Sequence, residues 1–245
     1  MSEKLNPENY YENYRGWNLG LLFARIKGME LPRDSQKTMW EKDKVKLLIL
    51  GSATTDNLNQ AALIDHYLRP LNKVEQDEII IIDKNEYPVL SHKKEADWLE
   101  GSGTGSWDNL PKSTPEFPYP KFQILQADMR QLPLAKNTCD AVISDYTLNY
   151  LDNLGDVEKT FQEISEALLE NGLIMLSVRG NDKYSYLGKN IPNLPENDLQ
   201  NVDQGGVEVH YFPLQTYINL AQKHKLRLMS YDLVNNDMCA FLVKE

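Results

Sequence analysis

The feature that most constrains this chain is a series of short, continuous apolar runs separated by amphipathic or polar stretches. VKLLILG (45–51), EIIIID (78–83), FQILQAD (122–128), CDAVISD (139–145) and LIMLSVR (173–179) each hold a block of aliphatic residues. Runs of this length without polar alternation are buried on both faces, as the strands of a parallel sheet are. Between the later ones lies a helix over 155–169, where Val157, Phe161, Ile164 and Leu168 fall on one face. Helices are also expected over 57–69 and 214–224, and Asn171-Gly172 reads as the left-handed C-terminal cap of the 155–169 helix. Two further strands, LRLMSYDLV (226–234) and MCAFLVKE (238–245), are joined by a hairpin turn through Asn235, Asn236 and Asp237. Strand and helix in alternation give an α/β fold, a doubly wound, mostly parallel sheet with helices on both faces and a terminal antiparallel strand pair.

The expected organisation is a helical segment over 1–44, then one α/β domain over 45–245. Polar insertions interrupt that domain at about 84–120 and 180–208, the second reading as a long loop or lid. A chain of 245 residues needs no disulfide or metal to hold a core. Cys139 and Cys239 lie alone in apolar runs and read as buried, reduced thiols; no spacing of His, Cys or carboxylates marks a metal site. There is no apolar stretch of the roughly 20 residues that span a bilayer and no leader-like start, so a cytoplasmic protein without membrane contact is expected. Twenty-six basic against 36 acidic residues leave a net charge of −10, which argues against a nucleic-acid partner and for a small molecule.

In an open parallel sheet, ligands bind beyond the carboxyl ends of the strands, where strand order reverses. The residues there are Gly51 and Ser52 after the first strand, Asp83 after the second, Asp128 and Met129 after the third, and Asp145, Tyr146, Asn149 and Tyr150 after the fourth. Asp83 suits the two hydroxyls of a ribose; the plainer role is to cap the following helix. Gly51 lets a ligand approach the backbone, or simply turns the chain. GSGTG at 101–105 has the spacing of a nucleotide loop, but it does not follow a strand and reads as flexible loop.

The segment FQILQADMRQLPLAKNTCDAVISDYTLNYLDNLGDVEKTFQEISEALLENGLIMLSVRG (122–180) resembles the class I S-adenosylmethionine-dependent methyltransferases. It has their acidic residue, Leu-Pro, "Asp-x-Val-Ile-Ser", helix and "Leu-x-x-Gly" progression. The resemblance extends over about 45–245 and implies a Rossmann-like methyltransferase fold of seven strands in the order 3-2-1-4-5-7-6. It implies S-adenosylmethionine as cofactor and S-adenosylhomocysteine as product. Gly51 and Ser52 would pass the methionine part, Asp83 would hold the ribose, and Asp128 the adenine amino group with Met129 against the ring. Asp145 and Tyr146 would lie near the methionine end. The family's first loop, G-x-G-x-G, is here GSATT, with Ala53 and Thr55 in place of two glycines.

An oxygen or nitrogen nucleophile needs a base, for which His210, in VEVHYF, and Asp145 are candidates; His210 also reads as an ordinary, partly exposed histidine. Tyr146, Asn149 and Tyr150 are expected to line an acceptor pocket, with a core position the alternative for Tyr150. Tyr14 and Trp17 are either a lid over the sulfonium or core residues, and Tyr10 and Tyr11 packing or surface residues. Two other functions compete. A nicotinamide-dependent oxidoreductase also uses an acidic residue after the second strand, but Asp83 lies 32 residues beyond Gly51 rather than the roughly 20 of that fingerprint. A non-catalytic binding or regulatory relative would account for the altered glycine loop.

Overall fold

A computed structural model describes residues 32–51, 77–86, 89–90, 93, 120–180, 199–202, 208–234 and 237–245. In chain order the elements are α1 (Arg33–Glu41), β1 (Lys46–Leu50), β2 (Glu78–Asp83), β3 (Lys121–Gln126), β4 (Cys139–Asp145), a 3-10 turn (Thr147–Tyr150) and α2 (Leu154–Ala167). They continue with β5 (Leu168–Arg179), β6 (Leu199–Val202), β7 (Glu208–Tyr211), α3 (Leu214–Lys223), β8 (Leu226–Val234) and β9 (Asp237–Lys244). Seven strands form one sheet in the order β3-β2-β1-β4-β5-β9-β8. β1 to β5 are parallel, and β9 enters antiparallel between β5 and β8. That is the order expected from the sequence once β9 and β8 are counted as the seventh and sixth strands of the main sheet.

The all-aliphatic runs are needed because this sheet is covered on both sides. Leu47, Ile49, Ile79, Ile81, Ile143 and Met175 point to one face, where Met39 of α1 packs. The alternate residues Leu48, Leu50, Ile80, Ile82, Val142 and Ile174 point to the other. There Val157, Phe161 and Ile164 of α2 and Tyr217 and Ala221 of α3 close over them. Asn153 caps α2, its Oδ1 accepting from the Asp156 N–H at 3.0 Å. Cys139 and Cys239 are buried thiols outside any disulfide, and burial pushes the Cys139 thiol up to about 12, which keeps it protonated. Among the described residues no helix is long and apolar enough to cross a membrane, and no cluster of His, Cys, Asp and Glu could hold a metal ion.

Three local expectations are corrected. α2 ends at Ala167, not at 169, and Asn171 is not its cap; Leu168 is already extended and closes the helix through its N–H to Ile164 O. The Asn171-Gly172 pair instead makes a left-handed bend inside β5, with Asn171 at φ 61°. A Cβ on Gly172 would lie 2.7 Å from Leu169 O. The Asn-Gly signature is shared by helix ends and tight bends, so the sequence does not separate them. The 180–208 insertion is not all loop either, since β6 and β7 pair into a separate two-stranded ribbon. The expected 57–69 helix, residues 94–119 and the turn residues Asn235 and Asn236 lie outside the described residues.

Gly51 ends β1 at φ +60°, its N–H donating to Ile82 O at 2.8 Å. A Cβ there would sit 2.4 Å from Thr147 Cγ2, while Thr147 Oγ1 donates to Leu50 O at 2.7 Å. Gly51→Ala is therefore expected to lower stability by about 2–4 kcal/mol, the sum of left-handed strain and overpacking. Adding Thr147→Ser, which removes the clashing methyl and keeps the hydroxyl, should restore part of that loss. Urea denaturation of the double-mutant cycle measures both.

Candidate active site

Strand order reverses between β1 and β4, and the carboxyl ends of β1 to β5 meet beside that point. Gly51 lies at the reversal, against Thr147. Asp83, at the end of β2, is buried, and its Oδ1 accepts from the Asn85 N–H at 2.8 Å. It thus closes a local turn.

Asp128 follows β3 and is gripped by Arg130. The guanidinium donates through Nε at 3.0 and 3.1 Å and through Nη2 at 2.6 Å, and the Arg130 backbone N–H adds a bond at 2.8 Å. Nη1 of the same arginine reaches Asp156 Oδ2, in the first turn of α2, at 2.9 Å. The Arg130 hydrogen bonds hold the Asp128 carboxyl below its usual range, against the opposing effect of burial. Met129 is half-buried against the core under α2 and α3.

Asp145 and Ser177 are register partners at the ends of β4 and β5, and the Ser177 hydroxyl donates to the Asp145 carboxylate. Tyr146 follows in the left-handed region at φ 52°, where a residue with a Cβ is strained by about 1–2 kcal/mol. Its N–H donates to Ser177 O at 2.9 Å, which holds the strained turn in place. Arg179 closes β5 and forms a two-pronged pair with Asp237 at the start of β9, at 2.6 and 3.0 Å. The hydrogen bonds donated to Asp237 raise the guanidinium's pKa, burial opposes the rise, and the Tyr211 and Tyr146 phenols add to it.

Asn149 is fully buried. Its Nδ2 donates to Arg179 O and His210 O at 2.9 Å and to the Tyr217 hydroxyl at 3.0 Å, and its Oδ1 accepts from the Arg179 N–H at 3.0 Å. With the carboxamide spent on these bonds, Asn149 ties the turn after β4 to β5, the ribbon and α3, and does not present itself to a pocket. Tyr150 is half-buried in the same 3-10 turn. His210 is only 5% exposed, against the ordinary, partly exposed histidine weighed from the sequence, and its Nε2 has no hydrogen-bond partner among the described residues. Ser52, Tyr10, Tyr11, Tyr14 and Trp17 lie outside the described residues.

Thr147, Ser177, Arg179 and Asp237 were not singled out by sequence reasoning. Ser177 and Arg179 carried a signal, as polar residues closing an apolar strand. Thr147 carried one only in its place two residues after Asp145.

Residues 106–176 match the model of a family described as a methyltransferase domain. The match spans 71 of the 245 residues, and the strand order is that of a Rossmann-like methyltransferase fold. Solved structures with the same fold include a protein from Pyrococcus horikoshii, 15% identical, with a TM-score of 0.60 over 97% of this chain and 99% of that one. An S-adenosylmethionine-dependent methyltransferase from Methanosarcina mazei is 11% identical, with a TM-score of 0.57 over 88% of this chain and 99% of its own. The [4+2]-cyclase SpnF is 12% identical, with a TM-score of 0.54 over 86% of this chain and 79% of its own. At these identities the likeness is one of fold. No curated protein matches the sequence. The site fits S-adenosylmethionine: buried or partly buried carboxylates stand after β2, β3 and β4, and an imidazole nitrogen without a hydrogen-bond partner among the described residues lies on the ribbon joined to the β4 turn.

Because the folded pKa of Asp128 is lowered, the stability it contributes is present above its unfolded value and is lost as pH falls through the folded one. Arg130→Gln removes the cause of the shift. The urea-midpoint gap between wild type and this variant should therefore be full at neutral pH and narrow as pH drops below about 4.

Proposed function

We propose that the chain is an S-adenosylmethionine-dependent methyltransferase acting on a small-molecule acceptor held beyond the carboxyl ends of β4 and β5, with His210 as proton acceptor and Asp145 beside the methionine end. When bound, the cofactor supplies a methyl group activated by a sulfonium. The chain's own part is to align the acceptor, exclude water and take up a proton. Gly51, Ser52 and Tyr146 would border the methionine part, Asp83 the ribose, and Asp128 and Met129 the base. Tyr14 and Trp17 would form a lid, and Tyr150 a wall of the acceptor pocket.

The observation that carries the acceptor end of this reading is the His210 imidazole. A buried, unpartnered nitrogen is costly unless a ligand or proton transfer uses it. Its strand is held to the turn after β4 by the Asn149 bond to His210 O. Asp145 stands at that same turn with its carboxylate fixed by Ser177, so it is oriented before a cationic centre arrives. The net charge of −10 supports a small acceptor over a polyanion.

Calorimetry with S-adenosylmethionine and S-adenosylhomocysteine should show binding at about micromolar Kd, no binding of NAD, and a loss of about tenfold or more in Asp83→Ala. Absence of binding to both sulfur compounds would refute the site. Against an acceptor found by screening for release of S-adenosylhomocysteine, His210→Gln should lower kcat by about 10²–10⁴ while cofactor affinity holds. An unchanged kcat would remove His210 from the chemistry.

A further inference from the structure

Arg130 stands two residues from Asp128 and is held at both ends of its guanidinium. One edge lies along both Asp128 oxygens, and the other reaches Asp156 Oδ2. Asp156 is itself fixed at the start of α2, where its N–H and carboxylate both meet Asn153, at 3.0 and 3.3 Å. The guanidinium cannot turn away from Asp128 without leaving α2 or breaking the fork. An ionised carboxylate offers about four acceptor positions. Three Arg130 hydrogens meet them on Asp128: the backbone N–H on Oδ1, Nη2–H on Oδ2, and the single Nε–H shared between both oxygens. What remains is one acceptor position and no donor. With 36% of its side chain exposed, Asp128 would otherwise sample several rotamers and exchange its partners with water.

We infer that Arg130 is a positioning residue that makes Asp128 a fixed, acceptor-only group and thereby sets a preference for a 6-amino over a 6-oxo purine at the cofactor's base. The inference rests on the reading that Asp128 meets that base. An exocyclic amino group donates into the remaining position. A 6-oxo group brings a lone pair against a lone pair, and a carboxyl could welcome it only by taking up a proton. The Arg130 hydrogen bonds, with the charge of Lys84 adding to them, oppose that protonation. Discrimination of this kind is large when a site is built to pair with a polar group that the analogue lacks.

The test is calorimetry on the full chain with two probes, S-adenosylhomocysteine and its 6-oxo analogue S-inosylhomocysteine. Wild type should prefer the first by about tenfold or more. Asp128→Asn, whose amide can donate, should bring the ratio close to one. Arg130→Gln should cut the ratio severalfold, and Arg130→Lys, which keeps the charge without the fork, should fall between Gln and wild type. Asp156→Asn loosens Arg130 from α2 without touching Asp128, should lower the ratio in the same direction, and carries the test if Arg130→Gln does not fold. An equal loss of both probes in the Arg130 and Asp156 variants, with the ratio unchanged, would make Arg130 merely structural and overturn the inference. A ratio unmoved by Asp128→Asn would instead overturn the reading beneath it, as would a wild type that binds neither probe.

Discussion

The approach of Thr147 to Gly51 is the constraint on which the site depends. A doubly wound sheet opens a crevice where its two halves diverge, and here β1 and β4 flank that crevice. The Thr147 hydroxyl reaches across to Leu50 O, and its methyl occupies the space a Cβ on residue 51 would need. That contact fixes where the turn after β4 begins. The strained Tyr146 backbone follows from it, held by Ser177, and Asn149 then lies where it can bind β5, the ribbon and α3 together. The geometry around the crevice is thus set by close packing between backbone and short polar side chains, with the Tyr217 hydroxyl joining them at Asn149.

The strands were legible because burial on both faces leaves almost no freedom in residue type. EIIIID and CDAVISD match β2 and β4 residue for residue. The ribbon was harder. β6 and β7 have four residues each, too few for a period to emerge, though Val207, Val209 and Tyr211 do alternate. Strand ends pointed to Asp83, Asp128 and Asp145, because position in an open sheet is a property of the pattern. What their side chains are engaged with is not. Asn149 draws partners 30, 61 and 68 residues away, and no local spacing announces such a hub. The Arg130 fork depends on a turn that brings residues two apart face to face, which a helix would not do.

The sheet by itself does not name a reaction. A [4+2]-cyclase shares it at a TM-score of 0.54, so chemistry has to be read from the groups set on it. Those groups divide by strand. The ends of β2 and β3 carry Asp83 and the Asp128–Arg130 pair. The ends of β4 and β5, with the start of β9, carry Asp145, Tyr146, Ser177, Arg179 and Asp237. Arg130 links the loop after β3 to α2, and the ribbon strand that carries His210 is tied to the turn after β4.

The position of β9 bears on how the molecule comes into being. It lies between β5 and β8, so both its edges are paired, yet it is the last strand of the order to leave the ribosome. Until residues 237–244 emerge, β5 presents an unpaired edge over Leu173–Arg179 that any extended chain can occupy. Synthesis at roughly 5–20 residues per second leaves that edge bare for several seconds. During that interval the nascent chain has most of its parallel sheet and a template awaiting its antiparallel partner, which is when a chaperone or a neighbouring nascent chain would find it.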